Sequence, residues 1–191
     1  MAKWPLKFRP GTQYAYSHTG FIALGKVIEA ASGQTYETFL QQSIFDPLKM
    51  ASTSYDHGQA DLAVGYTDSG TQPATLLDPQ GLYAAGALYS TVEDLERLDQ
   101  ALFANQLVSS KTLDSMLAPR LPLTEPGWSS GYAFIIRTKG TRVAQDLSTN
   151  VGLAAFLDHY PDNNLSVIVL SNQQFDPASL ADSVGTQLVG E

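Results

Sequence analysis

The hydrophobic pattern of this 191-residue chain changes its period once, close to residue 126. Before that point, apolar residues recur at intervals of three and four, which is typical of amphipathic helices. After it, short apolar runs are separated by turn residues, which is typical of strands with short connections. Strands joined in this way form antiparallel sheets. The sequence therefore predicts a single α+β domain, with a helical and loop-rich part over about 12–125 and a sheet with a terminal helix over about 126–191.

Two helices are predicted before residue 50. Phe21 and the apolar residues after it recur at helical spacing, which indicates a helix over 21–31. A second helix is predicted over 36–44. We expect Pro47 to end this second helix, because proline lacks a backbone N–H and clashes with the preceding turn.

The segment 45–83 is predicted to be irregular, since glycines and prolines are spread along it. Loops of this length are usually functional or wrapped around another part of the structure. Ser90 and Glu93 then form a capping box, with Ser90 as the N-cap of a helix that carries a clear apolar stripe. A shorter helix is predicted over 111–117, with Ser110 as its cap.

The second part of the chain contains four predicted strands, over 132–137, 143–147, 153–160 and 165–170. Residues 161–164, Pro-Asp-Asn-Asn, supply a tight turn between the last two strands. We expect a terminal helix over about 178–189 to pack on one face of the sheet.

The segment 127–131 matches the Gly-x-Ser-x-Gly pattern of nucleophile elbows, but that motif needs a strand before the serine and a helix after it. Prolines precede this segment and a predicted strand follows it, so we interpret the match as chance.

Composition narrows the classes of function. Apolar residues make up 43% and charged residues 16%, as in globular proteins, and no apolar run is long enough to span a bilayer. The formal net charge of −8, with no cluster of Lys and Arg, argues against a nucleic-acid partner. The absence of cysteine excludes disulfides and a thiol nucleophile. The histidines His18, His57 and His159 lack metal-ligand spacing, so we expect neither a metal nor another cofactor.

The stretch with the most potential for chemistry runs over residues 10–20. It opens with a Pro-Gly turn dipeptide, and the helix pattern begins shortly afterwards. Tyr16, Ser17 and His18 are therefore predicted to lie on the loop that leads into the first helix, where rigidly held polar groups often line a cleft. The residues alone leave an alternative open, in which the tyrosines are half-buried aromatics and His18 is an ordinary surface residue.

Four stretches resemble landmarks of the serine β-lactamase and penicillin-binding-protein-like hydrolases, nearest the class C β-lactamase, DD-peptidase and esterase branch. Residues 8–20, which contain Tyr-Ser-His, are similar to the segment that holds the family's Tyr-x-Asn motif. Residues 47–50, Pro-Leu-Lys-Met, resemble its Pro-Leu-Gly-Met landmark. Residues 84–95 resemble its glycine-containing entry to a helix, and residues 161–172 resemble its last core hairpin. The order and spacing of these landmarks agree over nearly the whole chain.

The resemblance implies a β-lactamase/transpeptidase-like fold and the acylation of a serine in a Ser-x-x-Lys motif, with a β-lactam, a D-amino-acid peptide or an ester as the acyl substrate. A hydroxyl needs an adjacent base to become a nucleophile, and in the family a tyrosine or the lysine is that base. On this pattern Tyr16 passes a proton between the serine and the leaving group. His18 replaces the family's asparagine and keeps the capacity to donate a hydrogen bond to a substrate carbonyl. Ser17, between them, is a further candidate catalytic residue.

The chain departs from the family in two places. No lysine has a serine three residues before it, so the Ser-x-x-Lys motif is absent. The family's Lys-Thr-Gly or His-x-Gly triplet is replaced by Asp146-Leu147-Ser148, which puts a carboxylate where a cation normally meets the acid group of the substrate. Ser148 adds a β-carbon where the substrate lies against the strand. Gly86, in a run of small residues that allows close approach, completes the candidate substrate-binding set with Asp146 and Ser148.

These features predict a truncated serine acyl hydrolase that covers the C-terminal two-thirds of the family's domain and is inactive alone. Without the N-terminal part, the chain is expected to expose a strand edge and an apolar face, which would bind a separate N-terminal segment or a second copy of the chain. One alternative is a ligand-binding relative that holds peptide-like molecules without turnover, and another is a truncated product with no function of its own. The resemblance implies an exported parent, as is usual for this family in bacteria.

Overall fold

The computed structural model describes residues 5–58, 61–67, 72–75, 78–137, 142–150, 152–173 and 175–190. Its α-helices are α1 (His18–Ser32), α2 (Tyr36–Leu40), α3 (Asp46–Leu48), α4 (Pro79–Leu82), α5 (Val92–Phe103), α6 (Ser110–Leu117) and α7 (Pro177–Val189). A π-helical turn (Gln41–Phe45) joins α2 to α3, and a 3-10 turn (Tyr83–Ala85) follows α4. Its strands are β1 (Ser54–Tyr55), β2 (Leu88–Tyr89), β3 (Leu121–Pro122), β4 (Trp128–Ser130), β5 (Ile135–Arg137), β6 (Arg142–Asn150), β7 (Leu153–Tyr160) and β8 (Leu165–Ser171).

Six strands form one antiparallel sheet in the order β3-β4-β5-β6-β7-β8, in which neighbours in the sequence are neighbours in the sheet. The predicted α+β class and antiparallel meander are confirmed, and all four predicted strands are present. The sheet begins earlier than predicted, because β3 and β4 are short and lie among prolines that hide a strand pattern. β1 and β2 pair separately as a two-stranded ladder, and strands of two residues leave no periodic signal in a sequence.

The Gly-x-Ser-x-Gly match at 127–131 falls on β4. Its Ser129 pairs with Pro122 of β3 and with Ile136 of β5, so the serine lies inside a meander. A turn follows the strand, closed by the Gly131 N–H, which donates to the Phe134 carbonyl at 2.7 Å. A nucleophile elbow needs a helix after its serine, so the interpretation of this match as chance is confirmed.

α1 begins three residues before its predicted start. The Oγ of Ser17 accepts a hydrogen bond from the Gly20 N–H at 3.2 Å, which makes Ser17 the N-cap and His18 the first helical residue. The prediction that His18 lies on a loop is therefore wrong. The first turn of the helix, His-Thr-Gly, is too polar to appear in an apolar pattern.

The second helix does not end at Pro47 as predicted. The helical path continues from α2 through the π-helical turn and α3 to Lys49, whose left-handed φ of 56° ends it. In the π-helical turn the Asp46 N–H bonds to the Gln41 carbonyl, five residues back, so the hydrogen-bond register widens just before the proline. This widening leaves Pro47 in the first turn of α3, where a missing N–H costs little.

Two helix caps lie one residue from their predicted positions. Thr91, rather than Ser90, caps α5, and its Oγ1 accepts a hydrogen bond from the Asp94 N–H at 3.3 Å. Ser109, rather than Ser110, caps α6 in the same way at 3.2 Å. In both places two neighbouring hydroxyl residues meet the capping preference, so the local sequence does not choose between them.

Helices cover both faces of the sheet. The terminal helix α7 packs on β7 and β8, as predicted, over a core of Phe156, Tyr160, Val167 and Ala181. On the other face α5 contacts β8, and Leu102, Phe103, Met116 and Leu117 of α5 and α6 pack against Phe134 and Ile136. A third cluster joins the helical part to the β1–β2 ladder and consists of Tyr36, Leu40, Phe45, Met50, Tyr55 and Ala87.

The strand β8 is last in the sheet order, so its outer side is an edge of the sheet in the part of the chain that the structure describes. Leu180, Val184 and Leu188 recur every four residues along α7 and are exposed. The described residues thus include a strand edge and, on the helix that packs against the same strand, an exposed apolar face.

Candidate active site

Tyr16 lies just before α1 and is 58% exposed. Its ring meets the His18 ring edge-on, with 5.0 Å between ring centres, and lies 5.6 Å from the Phe21 ring. Tyr14, two residues earlier, is 47% exposed. The Tyr16 side chain is therefore largely exposed beside this end of α1, and its catalytic role stays a prediction.

Ser17 and His18 are held by the start of the helix. The Ser17 hydroxyl accepts a backbone N–H of the first turn, which fixes the chain between Tyr16 and His18. A cap of this kind restricts the entry of the chain into the helix. Ser17 thus has a structural role that the sequence analysis did not assign to it, and the catalytic roles of Tyr16, Ser17 and His18 stay predictions.

α1 packs tightly against the 3-10 turn. Gly25 is buried, and a β-carbon at this position would lie 2.5 Å from the Ala84 Cβ and 2.6 Å from the Tyr83 Cε1. Tyr83 has a φ of 46° and a ψ of −127°, a conformation that residues other than glycine rarely adopt. Backbone strain of this kind persists only where the surroundings hold it, and it concentrates near functional sites.

An ion pair lies beside this contact. The Lys26 Nζ is 2.8 Å from the Glu29 Oε2 and 4.4 Å from the centre of the Tyr83 ring. Glu29 also accepts a hydrogen bond from the Tyr36 N–H at 3.1 Å, which ties α1 to α2. The Lys26 ammonium and this N–H lower the pKa of Glu29 to about 2, and the carboxylate in turn raises the pKa of Lys26. Burial raises the pKa of the Tyr83 phenol.

Gly86 ends the 3-10 turn and is exposed. Two other residues of the small-residue run pack inside the protein: Ala84 contacts Gly25 of α1, and Ala87 is buried in the core. Part of the close approach that the run allows is therefore made by a helix. Gly86 is the member of the run that faces solvent, and its role in substrate binding stays a prediction.

Asp146 and Ser148 lie on β6, between β5 and β7 in the sheet. Asp146 pairs with Phe156 and Ser148 pairs with Ala155, so Leu147 is an extra residue in a β-bulge. Bulges are frequent next to active sites because they change the direction of the chain. The sequence pattern does not signal this bulge, and the predicted binding roles of Asp146 and Ser148 stay predictions.

Part of the long irregular segment is anchored on the end of the sheet. The Tyr66 N–H donates to the carbonyls of Gly152 at 3.2 Å and Asn172 at 2.9 Å, and the Asn172 Nδ2 donates to the Val64 carbonyl at 3.1 Å. A β-carbon on Gly65 would lie 2.8 Å from the Gly152 carbonyl oxygen, so two backbones meet here without side chains between them. The expectation that this segment wraps around another part of the structure is confirmed for these residues.

The sequence analysis missed a buried polar cluster between α5 and the sheet. The His159 Nδ1 is 2.9 Å from the Asp99 Oδ2 and 3.1 Å from the Ser166 Oγ, and the Ser166 hydroxyl donates to the same carboxylate oxygen at 2.5 Å. His159 is 3% exposed and Asp99 is 4% exposed. A hydrolytic triad needs the serine and the carboxylate on opposite ring nitrogens, whereas both lie on Nδ1 here. The cluster therefore does not activate Ser166 as a nucleophile.

A second buried carboxylate fixes the turn that follows α3. Asp94 on α5 accepts hydrogen bonds from the Ser52 N–H and the Thr53 Oγ1, both at 2.8 Å, and pairs with the Arg97 Nη1 at 2.5 Å. An acidic residue in the first turn of a helix is ordinary, so the sequence carried no signal that Asp94 would be buried.

Over the ranges that the structure describes, no group of three or more His, Cys, Asp or Glu side chains is placed to hold a metal ion. The His57 Nε2 pairs with the Glu37 Oε1 at 2.9 Å on the surface. No helix within those ranges has the length and apolar character needed to cross a bilayer.

A protein-family model described as Beta-lactamase matches residues 1–188. Penicillin-binding protein 4* of Bacillus subtilis (strain 168) is 28% identical over 193 residues, a match that covers 88% of this chain and 42% of that protein. The octameric penicillin-binding protein homologue from Pyrococcus abyssi is 26% identical, with a TM-score of 0.86 over 99% of this chain and 45% of that chain. A penicillin binding protein from Bacillus halodurans is also 26% identical, with a TM-score of 0.82 over 96% of this chain and 59% of that chain.

The chain spans less than half the length of the Bacillus subtilis relative and of the octameric homologue. Within that span, the similarity in sequence and in fold extends over nearly all of its residues. The helices, the six-stranded meander and the terminal helix are those of a β-lactamase/transpeptidase-like fold. The chain therefore belongs to the Beta-lactamase family.

Proposed function

We propose that the chain provides the proton-handling side of a serine acyl hydrolase site, which acts on a β-lactam, a D-amino-acid peptide or an ester through an acyl-enzyme. The observation that carries this proposal is the exposed Tyr16 side chain at the capped start of α1, in a chain of the Beta-lactamase family. Two of its relatives are named as penicillin-binding proteins, which supports a β-lactam or peptide acyl group.

In the proposed reaction, Tyr16 takes a proton from the attacking serine hydroxyl and passes a proton to the leaving group. The His18 ring, 5.0 Å away and edge-on, limits the orientations of the phenol. His18 donates a hydrogen bond to the substrate carbonyl, as the asparagine at this position would. Ser17 acts as a positioning residue, because its cap fixes the backbone between Tyr16 and His18.

The attacking serine comes from polypeptide outside these 191 residues. None of the six lysines of the chain has a serine three positions before it, so the chain carries no Ser-x-x-Lys motif. The edge of β8 and the exposed apolar stripe of α7 offer a surface for a segment that carries the nucleophile. A second copy of the chain would cover that surface without supplying the serine. Because the Pyrococcus abyssi homologue is octameric, self-association of this chain is the alternative to test.

A second candidate function is binding without turnover. The identity of Asp146 favours it, because a carboxylate at the position of the family's cationic triplet repels an acidic substrate group at close range. The β-bulge between Asp146 and Ser148 keeps this position irregular whichever function the chain has. A relative of this kind would hold a neutral or cationic peptide-like ligand and would form no acyl-enzyme.

Intact-mass spectrometry after incubation with benzylpenicillin and with a reactive acyl ester distinguishes these functions. The chain alone is expected to keep its mass. The chain joined to a polypeptide that carries a Ser-x-x-Lys segment of the family is expected to gain the mass of the acyl group on that serine. Mass gain on the 191 residues alone would overturn the assignment of the nucleophile. Reversible binding with no mass gain in either form would favour the binding function.

A further inference from the structure

A cleft lies between α5 and the β7–β8 hairpin, and Tyr16, Ser17, His18 and Gly86 are not among the described residues that line it. Its volume is about 290 Å³. Its polar lining includes Glu96, Asp99, His159 and Ser166, and Val92 and Ile168 contribute apolar surface. The cleft therefore combines buried polar atoms with an apolar wall, as small-molecule sites do.

The buried histidine presents one unused nitrogen to this cleft. The Nδ1 edge of His159 is occupied by Asp99 and Ser166, and the Phe103 ring stacks on its face with 3.4 Å between ring centres. The Nε2 has no hydrogen-bond partner among the residues that the structure describes, and it is not sealed from solvent. Since the side chain is almost fully buried and lines the cleft, the Nε2 opens into the cleft.

The hydrogen-bond pattern makes the Nε2 of the neutral imidazole an acceptor. The Nδ1 faces the Asp99 carboxylate and donates to it, so in the neutral ring the lone pair lies on the Nε2. The Asp99 Oδ2 is shared by His159 and Ser166, whereas its Oδ1 has no bond to a described residue and is likewise not sealed. Two acceptor atoms therefore face the cleft, and a ligand that donates hydrogen bonds would satisfy both.

The charge of the cleft lining further restricts the class of ligand that can bind. Among the described residues that line the cleft, Glu96 and Asp99 are charged and none is Lys or Arg. Glu96 accepts a hydrogen bond from the Gln100 Nε2 at 2.9 Å, which holds its carboxylate along the α5 side of the cleft. A cation with N–H donors gains from both carboxylates and from the Nε2, and an anion would be repelled.

We propose that this cleft is a binding site for a primary ammonium group on a short aliphatic chain. The ammonium donates hydrogen bonds to the His159 Nε2 and the Asp99 Oδ1, and Glu96 adds charge at the rim. The aliphatic part contacts Val92 and Ile168. This site does not depend on acyl transfer, so it stands or falls separately from the proposed hydrolase function.

A nuclear magnetic resonance titration of the full, ¹⁵N-labelled chain tests the proposal. We expect n-butylammonium to shift the His159 ring nitrogens and the side-chain amides of Gln100 and Asn164 along saturable curves. Tetramethylammonium, which has no N–H donor, and n-butanol, which has no charge, are expected to bind at least about tenfold more weakly. Butyrate is expected to produce no saturable shift.

Glu96→Gln is expected to weaken the binding of n-butylammonium about threefold, because it removes an exposed charge next to the ammonium. Glu93→Gln makes the same change in charge on the same helix outside the cleft lining, and it is expected to leave the affinity unchanged. Equal affinities for n-butylammonium and n-butanol, shifts at other residues, or equal effects of the two variants would overturn the proposal.

Discussion

A β-carbon on Gly25 of α1 would lie 2.5 Å from the Cβ of Ala84, so the helix that presents Tyr16 touches the small-residue run where only glycine fits. We expect Gly25→Ala to lower the free energy of unfolding by about 1–3 kcal/mol, because the added methyl group forces the strained Tyr83 turn away. Gly20→Ala in the same helix is the control, since its nearest neighbour would be 3.6 Å away and alanine favours helix. Denaturant titrations measure both values, and equal losses would contradict this account.

Tyr16→Phe removes the phenol hydroxyl and keeps the ring contacts with His18 and Phe21. In the chain joined to its nucleophile-bearing segment, we expect the rate of acylation to fall by about 10²–10⁴, the usual contribution of a general acid or base. Stopped-flow measurement with a chromogenic cephalosporin gives this rate. Tyr14→Phe, at a similarly exposed tyrosine two residues earlier, should keep the rate of the parent. Loss of rate in both variants, or in neither, would remove Tyr16 from the mechanism.

Ser17→Ala removes the cap of α1. We expect the free energy of unfolding to fall by about 1 kcal/mol, because the Gly20 N–H loses its hydrogen bond. Ser17→Asp keeps an oxygen acceptor at the same place and is expected to recover most of this loss. Equilibrium unfolding followed by circular dichroism compares the three chains. If Ser17→Asp were as unstable as Ser17→Ala, the cap would not be the source of the effect.

Glu29 gives the fold a dependence on pH. Its pKa is lowered from 4.5 to about 2 by Lys26 and by the Tyr36 N–H. Because the folded-state pKa is the lower one, the stabilising contribution is fully present above pH 4.5 and is lost as the pH falls towards 2. We expect Glu29→Gln to be less stable than the native chain at neutral pH and equally stable near pH 2. Urea titrations at a series of pH values measure this difference, and a gap that persisted at pH 2 would contradict it.

Asp99 joins α5 to the sheet through His159 and Ser166. We expect Asp99→Asn to lower the free energy of unfolding by about 1–3 kcal/mol, because a buried hydrogen-bonding group then lacks its charged partner. Asp114→Asn, at an exposed position of α6, makes the same chemical change and should stay within about 0.5 kcal/mol of the native chain. Thermal unfolding by calorimetry compares the variants, and equal shifts would show that the buried cluster contributes no stability.

The parts of the fold that the sequence predicted are those with a strong, local hydrophobic period. The strands β7 and β8 and the helix α7 have this property, and their observed bounds lie close to the predicted ones. The errors arose where two local solutions have similar free energies, as for Ser90 and Thr91 at the start of α5. The continuation of the helix through Pro47 depends on a π-helical turn that no apolar pattern specifies.

The candidate site divides in the same way. The Tyr16 stretch could be found because its residues are adjacent in the sequence and resemble a known motif. Asp99 and His159 lie 60 positions apart, and only the packing of α5 on the sheet brings them together. The bulge at Leu147 likewise exists only in the pairing of β6 with β7. Interactions between distant segments are invisible to reasoning from spacing alone.

The contact between Gly65 and Gly152 has a consequence for how variants of this chain can be chosen. A methyl group on either glycine would collide with the main chain of the other, so a change at one position is not compensated by a change at the second. The two positions therefore accept only one pair of residues, glycine at both. Combinatorial libraries that diversify residues 64–67 should keep both glycines fixed. Any other pair would separate the segment around Gly65 from the backbone at Gly152, just before β7.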